Sequence, residues 1–202
     1  MSANSPKVIL LTGGLAAGKS TAAQLLAEKG FAIIDTDLIA RSLLEPKTEF
    51  FQAVVRHFGL SILDASEKIN RRKLREIIFQ SPQDKKFLED LLHPQIQLLT
   101  YQQVEHLKQA KNSPRAIVIV VPLFVSKTSY PADFILTIEA KTSLQIERVM
   151  ARDGISKALA TKMLASQAAS ETRQLLADQV IWNEGDLGKF KETLTQIFST
   201  IL

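Results

Sequence analysis

Residues Gly13-Gly14-Leu15-Ala16-Ala17-Gly18-Lys19-Ser20 fit the pattern G-x-x-x-x-G-K-[ST], with Thr21 following. The setting matters as much as the letters. Val8-Ile9-Leu10-Leu11 precede the pattern as a short apolar run that reads as a buried strand, and Ala22 to Lys29 follow it as a helix stopped by Gly30. A glycine loop between a strand and a helix lets successive backbone N–H groups surround phosphate oxygens, with the positive helix end behind them. Lys19 is then placed to reach β- and γ-phosphates, and the Ser20 hydroxyl to bind Mg²⁺. A random chain of this length matches the pattern in roughly one case in a hundred. The flanking strand and helix make chance rarer still, so a nucleoside triphosphate site is expected.

At 202 residues the chain suits one domain with small insertions. It is 46% apolar and 23% charged, ordinary for a soluble globular protein. Its longest uncharged apolar run, Ala116 to Val125, is too short to span a bilayer and contains Pro122. Met1 to Lys7 lack the apolar centre of a signal peptide. With no cysteine there are no disulfides or thiolate metal sites, and a cytoplasmic protein is expected. The net charge of +4 is small. The basic residues Arg71, Arg72, Lys73 and Arg75 have no aromatic residues among them, which fits a solvated helix face or a phosphorylated small molecule better than nucleic acid.

Further apolar runs, Phe31–Ile34, Ala116–Val121, Phe134–Ile138 and Val180–Trp182, are continuous rather than alternating, as in strands covered on both faces. Helical patterns at Ser143–Met150, Ala158–Leu176 and Leu187–Leu202 separate or follow them. The expected fold is α/β, a doubly wound parallel sheet of about five strands flanked by helices. Between about Leu38 and Ser113 only helical periodicity shows, punctuated by Pro46, Gly59, Pro82 and Pro94. That stretch is far longer than a crossover needs and predicts a helical insertion. Ligands of open α/β sheets sit outside the carboxyl ends of the strands, where such an insertion can wall a second substrate.

The second strand is expected to run into Asp35-Thr36-Asp37, on the same sheet edge as the glycine loop and about 5 Å from it if the two strands are neighbours. Strand alternation would put Asp35 and Asp37 on one side, one near the metal and one on the acceptor hydroxyl. Phosphoryl transfer needs positioning and charge stabilisation, and a carboxylate that orients the attacking hydroxyl is the usual protein contribution. The plainer reading is a helix cap and a turn aspartate. Arg148 and Arg152, four apart on a helix, could neutralise triphosphate charge from a mobile segment, or pair with Glu147 and Asp153 on a solvated face. His57, His93 and His106 show no metal spacing; His93-Pro94 reads as a helix boundary, and Trp182 as core. Asn183-Glu184-Gly185 is either a loop near a purine or a turn.

Taken in order, these residues resemble the dephospho-coenzyme A kinase family of P-loop kinases. The resemblance rests on Leu11-Thr12-Gly13-Gly14 leading into Gly18-Lys19-Ser20-Thr21, Ile34-Asp35-Thr36-Asp37, Ile39-Ala40-Arg41, Asn70-Arg71 and Leu92-His93-Pro94. Val121-Pro122-Leu123-Phe124, Gln145, Arg148, Arg152-Asp153, Gln167, Arg173, Ala177-Asp178 and Asn183 complete it. It implies a P-loop NTPase-type fold and transfer of the γ-phosphoryl group of ATP, with Mg²⁺, to the 3′-hydroxyl of dephospho-coenzyme A. It also implies a nucleotide-binding core (residues 7–37, 114–140 and 178–202), a helical acceptor-binding part (38–113) and a lid (141–177). Carried over, Gly14 and Ala16 to Thr21 hold the phosphates and Mg²⁺, and Asp37 is the base, with Asp35 near the metal. Arg41, Arg71 and His93 line the acceptor side, Arg148 and Arg152 belong to the lid, and Asn183 lies near the adenine. The implied partners are small molecules, with no nucleic acid or membrane, in a monomer or small homo-oligomer. Two stretches depart from the family pattern: Ala16-Ala17 stand where Gly-Ser or Gly-Arg is usual, and Ser126 stands where a Glu is usual. Alanine in the loop costs more than glycine if φ is positive.

Another small-metabolite or nucleoside monophosphate kinase would share the loop but need a different acceptor pocket. A guanine-nucleotide switch would need N-K-x-D and D-x-x-G, and neither occurs.

Overall fold

The computed structural model describes residues 5–121, 130, 132–165, 167 and 170–201. Pro122, Leu123, Phe124 and Ser126 lie outside the described residues.

Five parallel strands form one sheet in the order β2-β3-β1-β4-β5: β1 (Lys7–Gly13), β2 (Ala32–Asp35), β3 (Ala116–Val120), β4 (Phe134–Glu139) and β5 (Gln179–Trp182). The continuous apolar runs explain the arrangement. Every residue of β3 and all but the first of β1 and β4 are largely or fully buried, as strands covered on both faces must be. Two aspartates tie the amino-terminal ends of the strands together: Val8 N donates to Asp133 Oδ2 at 2.8 Å, and Ile135 N donates to Asp178 Oδ2 at 2.8 Å. The core joins Ile9, Leu11, Val118, Leu136 and Ile138 of the sheet to Ala22 and Leu26 of α1 (Lys19–Glu28) and to Phe190, Leu194 and Phe198 of α9 (Leu187–Ile201).

The contacts divide the chain into two units. One runs up to Asp35 and resumes at Tyr101; the other is Thr36–Thr100. The first holds the sheet, α1, α6 (Thr142–Asp153), α7 (Lys157–Ala165), α8 (Ser170–Leu176) and α9. The single helix expected over Ala158–Leu176 is therefore two, with Gln167 in a bend between them. The apolar periodicity carries across Gln167, where the backbone is not helical.

The second unit holds α2 (Thr36–Leu43), α3 (Glu49–Phe58), α4 (Arg71–Gln80) and most of α5 (Pro82–Gln109). Its own small core is Val54, Ile62, Ile69 and Leu74, packed with Phe51, Phe58, Ile77, Leu88 and Leu91. Local caps start its helices: Thr48 Oγ1 accepts from Phe51 N at 3.0 Å, and Asn70 Oδ1 accepts from Lys73 N at 3.0 Å. His57 stacks on Phe87 with ring centroids 3.7 Å apart and meets Asp84 Oδ1 at 2.7 Å, joining α3 to α5. That bond holds the Asp84 carboxyl below its ordinary range. Pro94 lies inside α5, so His93-Pro94 is not a helix boundary. Proline removes one N–H donor but does not end a helix whose flanking turns are held by packing, and Leu92 and Ile96 are both buried.

Candidate active site

The glycine loop leaves the carboxyl end of β1, the central strand, and Gly13 lies against β4. A Cβ at Gly13 would sit 2.1 Å from Ile138 O, so no larger residue fits between the two strands there. Gly14 N donates to Ile138 O at 3.2 Å, and Ala17 N closes back on Gly14 O at 3.2 Å. Gly18 caps α1 at φ 117°, and a Cβ on it would run into Asn183 Nδ2 at 2.3 Å. Lys19 opens α1 and folds across the loop, its Nζ donating to Gly13 O at 2.8 Å and to Gly14 O at 2.9 Å. Its ammonium is thereby fixed at the mouth of the ring of backbone groups. Ser20 and Thr21 follow on the exposed first turn of α1.

Side chains from α6 to β5 grip the outside of the loop. Gln145 Nε2 donates to Leu15 O at 2.9 Å, and Leu15 N donates to Gln167 Oε1 at 2.9 Å. Arg148 Nη1 donates to Ala16 O and its Nη2 to Asn183 Oδ1, both at 3.3 Å. Asn183 Nδ2 donates to Ala17 O at 2.8 Å. Asn183 is buried with both amide atoms engaged, which makes it a support of the loop. Arg148 and Arg152 part company here. Arg152 pairs with its neighbour, Nε to Asp153 Oδ1 at 2.7 Å and Nη2 to Oδ2 at 2.9 Å, as on a solvated helix face. That pairing pushes the already high pKa of the guanidinium up further. Trp182, expected in the core, is 49% exposed, because β5 is an edge strand and alternation turns Ile181 inward instead.

Behind the loop lies an ion pair that sequence reasoning missed. Glu139, 1% exposed at the end of β4, accepts from Arg173 Nε at 2.7 Å and Nη2 at 2.8 Å, from Thr137 Oγ1 at 3.0 Å and from Ser170 Oγ at 2.9 Å. The available signal was a carboxylate ending an apolar strand, which burial obliges to find a cation. Replacing Glu139 by Ala strands the Arg173 guanidinium in the interior, and a loss of about 3 kcal/mol of stability is expected in urea titration.

The two aspartates do not share a strand. β2 ends at Asp35, and Asp37 lies in the first turn of α2, so strand alternation does not relate them. Nor is β2 next to β1: β3 lies between, which doubles the spacing to about 10 Å. The second unit carries Asp37 and Arg41 four residues apart on the exposed face of α2, Arg71 at the start of α4 and exposed, and His93 exposed on α5.

A family model described as dephospho-CoA kinase matches residues 7–189. The dephospho-CoA kinase of Vibrio cholerae is 37% identical over 96% of this chain and 95% of its own length. Among solved structures, TT1252 from Thermus thermophilus has a TM-score of 0.77 at 26% identity, covering 98% of each chain. The dephospho-CoA kinase from Campylobacter jejuni has a TM-score of 0.67 at 27% identity, covering 96% of each.

Proposed function

This chain belongs to the dephospho-CoA kinase family, and on that premise we infer that it transfers the γ-phosphoryl group of ATP to the 3′-hydroxyl of dephospho-CoA, giving coenzyme A and ADP. The observation that carries the reading in this chain is the loop itself: a ring of backbone groups at the carboxyl end of the central strand, with the Lys19 ammonium held across its mouth. When the triphosphate binds, Lys19 exchanges carbonyl partners for β- and γ-phosphate oxygens. The backbone of Gly14 and Ala16–Thr21 cradles the phosphates, favoured by the amino-terminal end of α1.

Mg²⁺ would be held by the Ser20 hydroxyl, with the Asp35 carboxylate near it. One hydroxyl and one carboxylate fit this ion, which keeps several waters and takes its other oxygens from the nucleotide. Its chemistry there would be to offset charge on the β- and γ-phosphates. Asp37 orients the acceptor hydroxyl and takes its proton, while Arg41, Arg71 and His93 bind the acceptor. We place the enzyme in the cytoplasm, as a monomer or small homo-oligomer with small-molecule partners.

Arg148 reaches the loop from α6, bonding the Ala16 carbonyl, and is the group proposed to stabilise charge in the transition state. Arg148→Ala should lower kcat about 10²-fold. Arg152→Ala, which loses an exposed pair with Asp153, should stay within about fivefold of the parent. Equal losses in steady-state assays would return Arg152 to the site. The acceptor assignment is tested by coupled ADP release with dephospho-CoA beside AMP, CMP and shikimate. Turnover confined to one of the other three would overturn it while leaving the fold untouched.

A further inference from the structure

Ala16 adopts φ 54°, a left-handed conformation that a residue with a Cβ resists. Relative to the right-handed form it is disfavoured by a factor of about 5 to 30 in population. Something must hold it there: Arg148 Nη1 donates to the Ala16 carbonyl itself at 3.3 Å, and two shorter bonds grip the residue before it. The preceding residue, Leu15, has both backbone polar groups taken by side-chain amides, its carbonyl by Gln145 Nε2 and its N–H by Gln167 Oε1, each at 2.9 Å. Gly14 makes this grip feasible: a Cβ there would lie 2.2 Å from Gln145 Nε2. Gln145 is buried, and both glutamines line a cavity of ≈ 380 Å³ with Ser170 and Arg173.

We propose that Gln145 and Gln167 are positioning residues that clamp Leu15 and thereby hold Ala16 in its left-handed conformation, keeping the phosphate loop in the shape that receives ATP. Each glutamine bonds the Leu15 backbone and acts through it. The clamp offsets in this chain the strain that alanine introduces where the family pattern has glycine. The inference rests on the loop being the ATP site, as proposed above.

The test is a double-mutant cycle with Gln167→Leu and Ala16→Gly, with Gln145→Leu as a second clamp variant. Equilibrium titration with ATP, steady-state kinetics, thermal midpoint and amide hydrogen exchange of Leu15–Lys19 without nucleotide are read on each protein. With Ala16 present, Gln167→Leu should weaken ATP binding and raise KM for ATP about tenfold, with kcat changed less than threefold, and should speed exchange in the loop. In the Ala16→Gly background the same substitution should cost no more than about threefold and speed exchange less. Equal penalties in the two backgrounds, or no penalty with Ala16 present, would overturn the clamp. Should one clamp variant fail to fold, as its thermal midpoint reports, the other completes the cycle. Exchange is measured without ATP, so a failed clamp is distinguishable from a failed ATP site, which would show as absent ATP binding by the parent protein.

Discussion

Lys19→Ala is expected to lower kcat for dephospho-CoA phosphorylation about 10³-fold or more, while the thermal midpoint moves by no more than a few degrees. The two halves of the expectation have separate physical sources. Phosphoryl transfer has little covalent chemistry for a protein to perform, so rate comes from positioning and from charge held against the phosphate oxygens. Lys19 supplies a full positive charge at the mouth of the loop, already oriented by Gly13 O and Gly14 O, so no reorganisation is needed when charge develops. Stability, by contrast, depends little on it. The side chain is partly exposed on the first turn of α1, so water can enter in its place and satisfy the loop carbonyls it leaves. Alanine also favours helix at that position. Coupled ADP release and circular dichroism on the same preparation check both halves. Parent-like turnover would remove the loop from the chemistry; an unfolded variant would show that the ammonium is structural.

Parts of this molecule are legible in its sequence, and the reasons differ by residue. The three inner strands were legible because parallel strands buried on both faces are written as nearly continuous apolar runs, as Val8–Leu11 and Ala116–Val120 are. The glycine loop was legible because its chemistry demands glycine and lysine at set spacing. Strand order was not legible: nothing local in Phe31–Ile34 tells that β3 will insert beside β1. The end of β2 was misplaced for a related reason. Asp-Thr-Asp alternates as well as any strand, yet Thr36 begins a helix whose Ile39 and Leu43 face inward. The supports of the loop were hardest to see. Gln145, Gln167 and Asn183 lie 130, 152 and 166 residues from the backbone atoms they bind, and amides carry no periodic signature. Glu139 and Arg173, 34 residues apart, are recognisable only once burial makes pairing obligatory.

The corrected position of Asp37 sharpens what its removal should do. Asp37→Asn is expected to lower kcat about 10²- to 10³-fold while leaving the Kd for ATP within about threefold. An interaction made with the attacking hydroxyl strengthens as that oxygen gains charge, so its loss falls on the transition state and not on the bound nucleotide. Asp37 is in the first turn of α2, where the helix end favours a carboxylate, and it is exposed. Arg41 follows four residues on along the same face, so the helix presents an anion and a cation together, proposed above to serve the hydroxyl and the acceptor. Asparagine keeps the size and one carbonyl acceptor but cannot take the proton, which separates general-base action from simple orientation. If Asp37 acts only by orientation, the loss shrinks to about tenfold and the rate ceases to depend on a carboxylate in its pH profile. Asp35→Asn is the paired control. It ends β2 in the other unit and is proposed to act near Mg²⁺, so its penalty should lessen as Mg²⁺ is raised, whereas the Asp37→Asn penalty should not. Loss of all turnover in Asp35→Asn at every Mg²⁺ concentration, with Asp37→Asn unimpaired, would exchange the two roles.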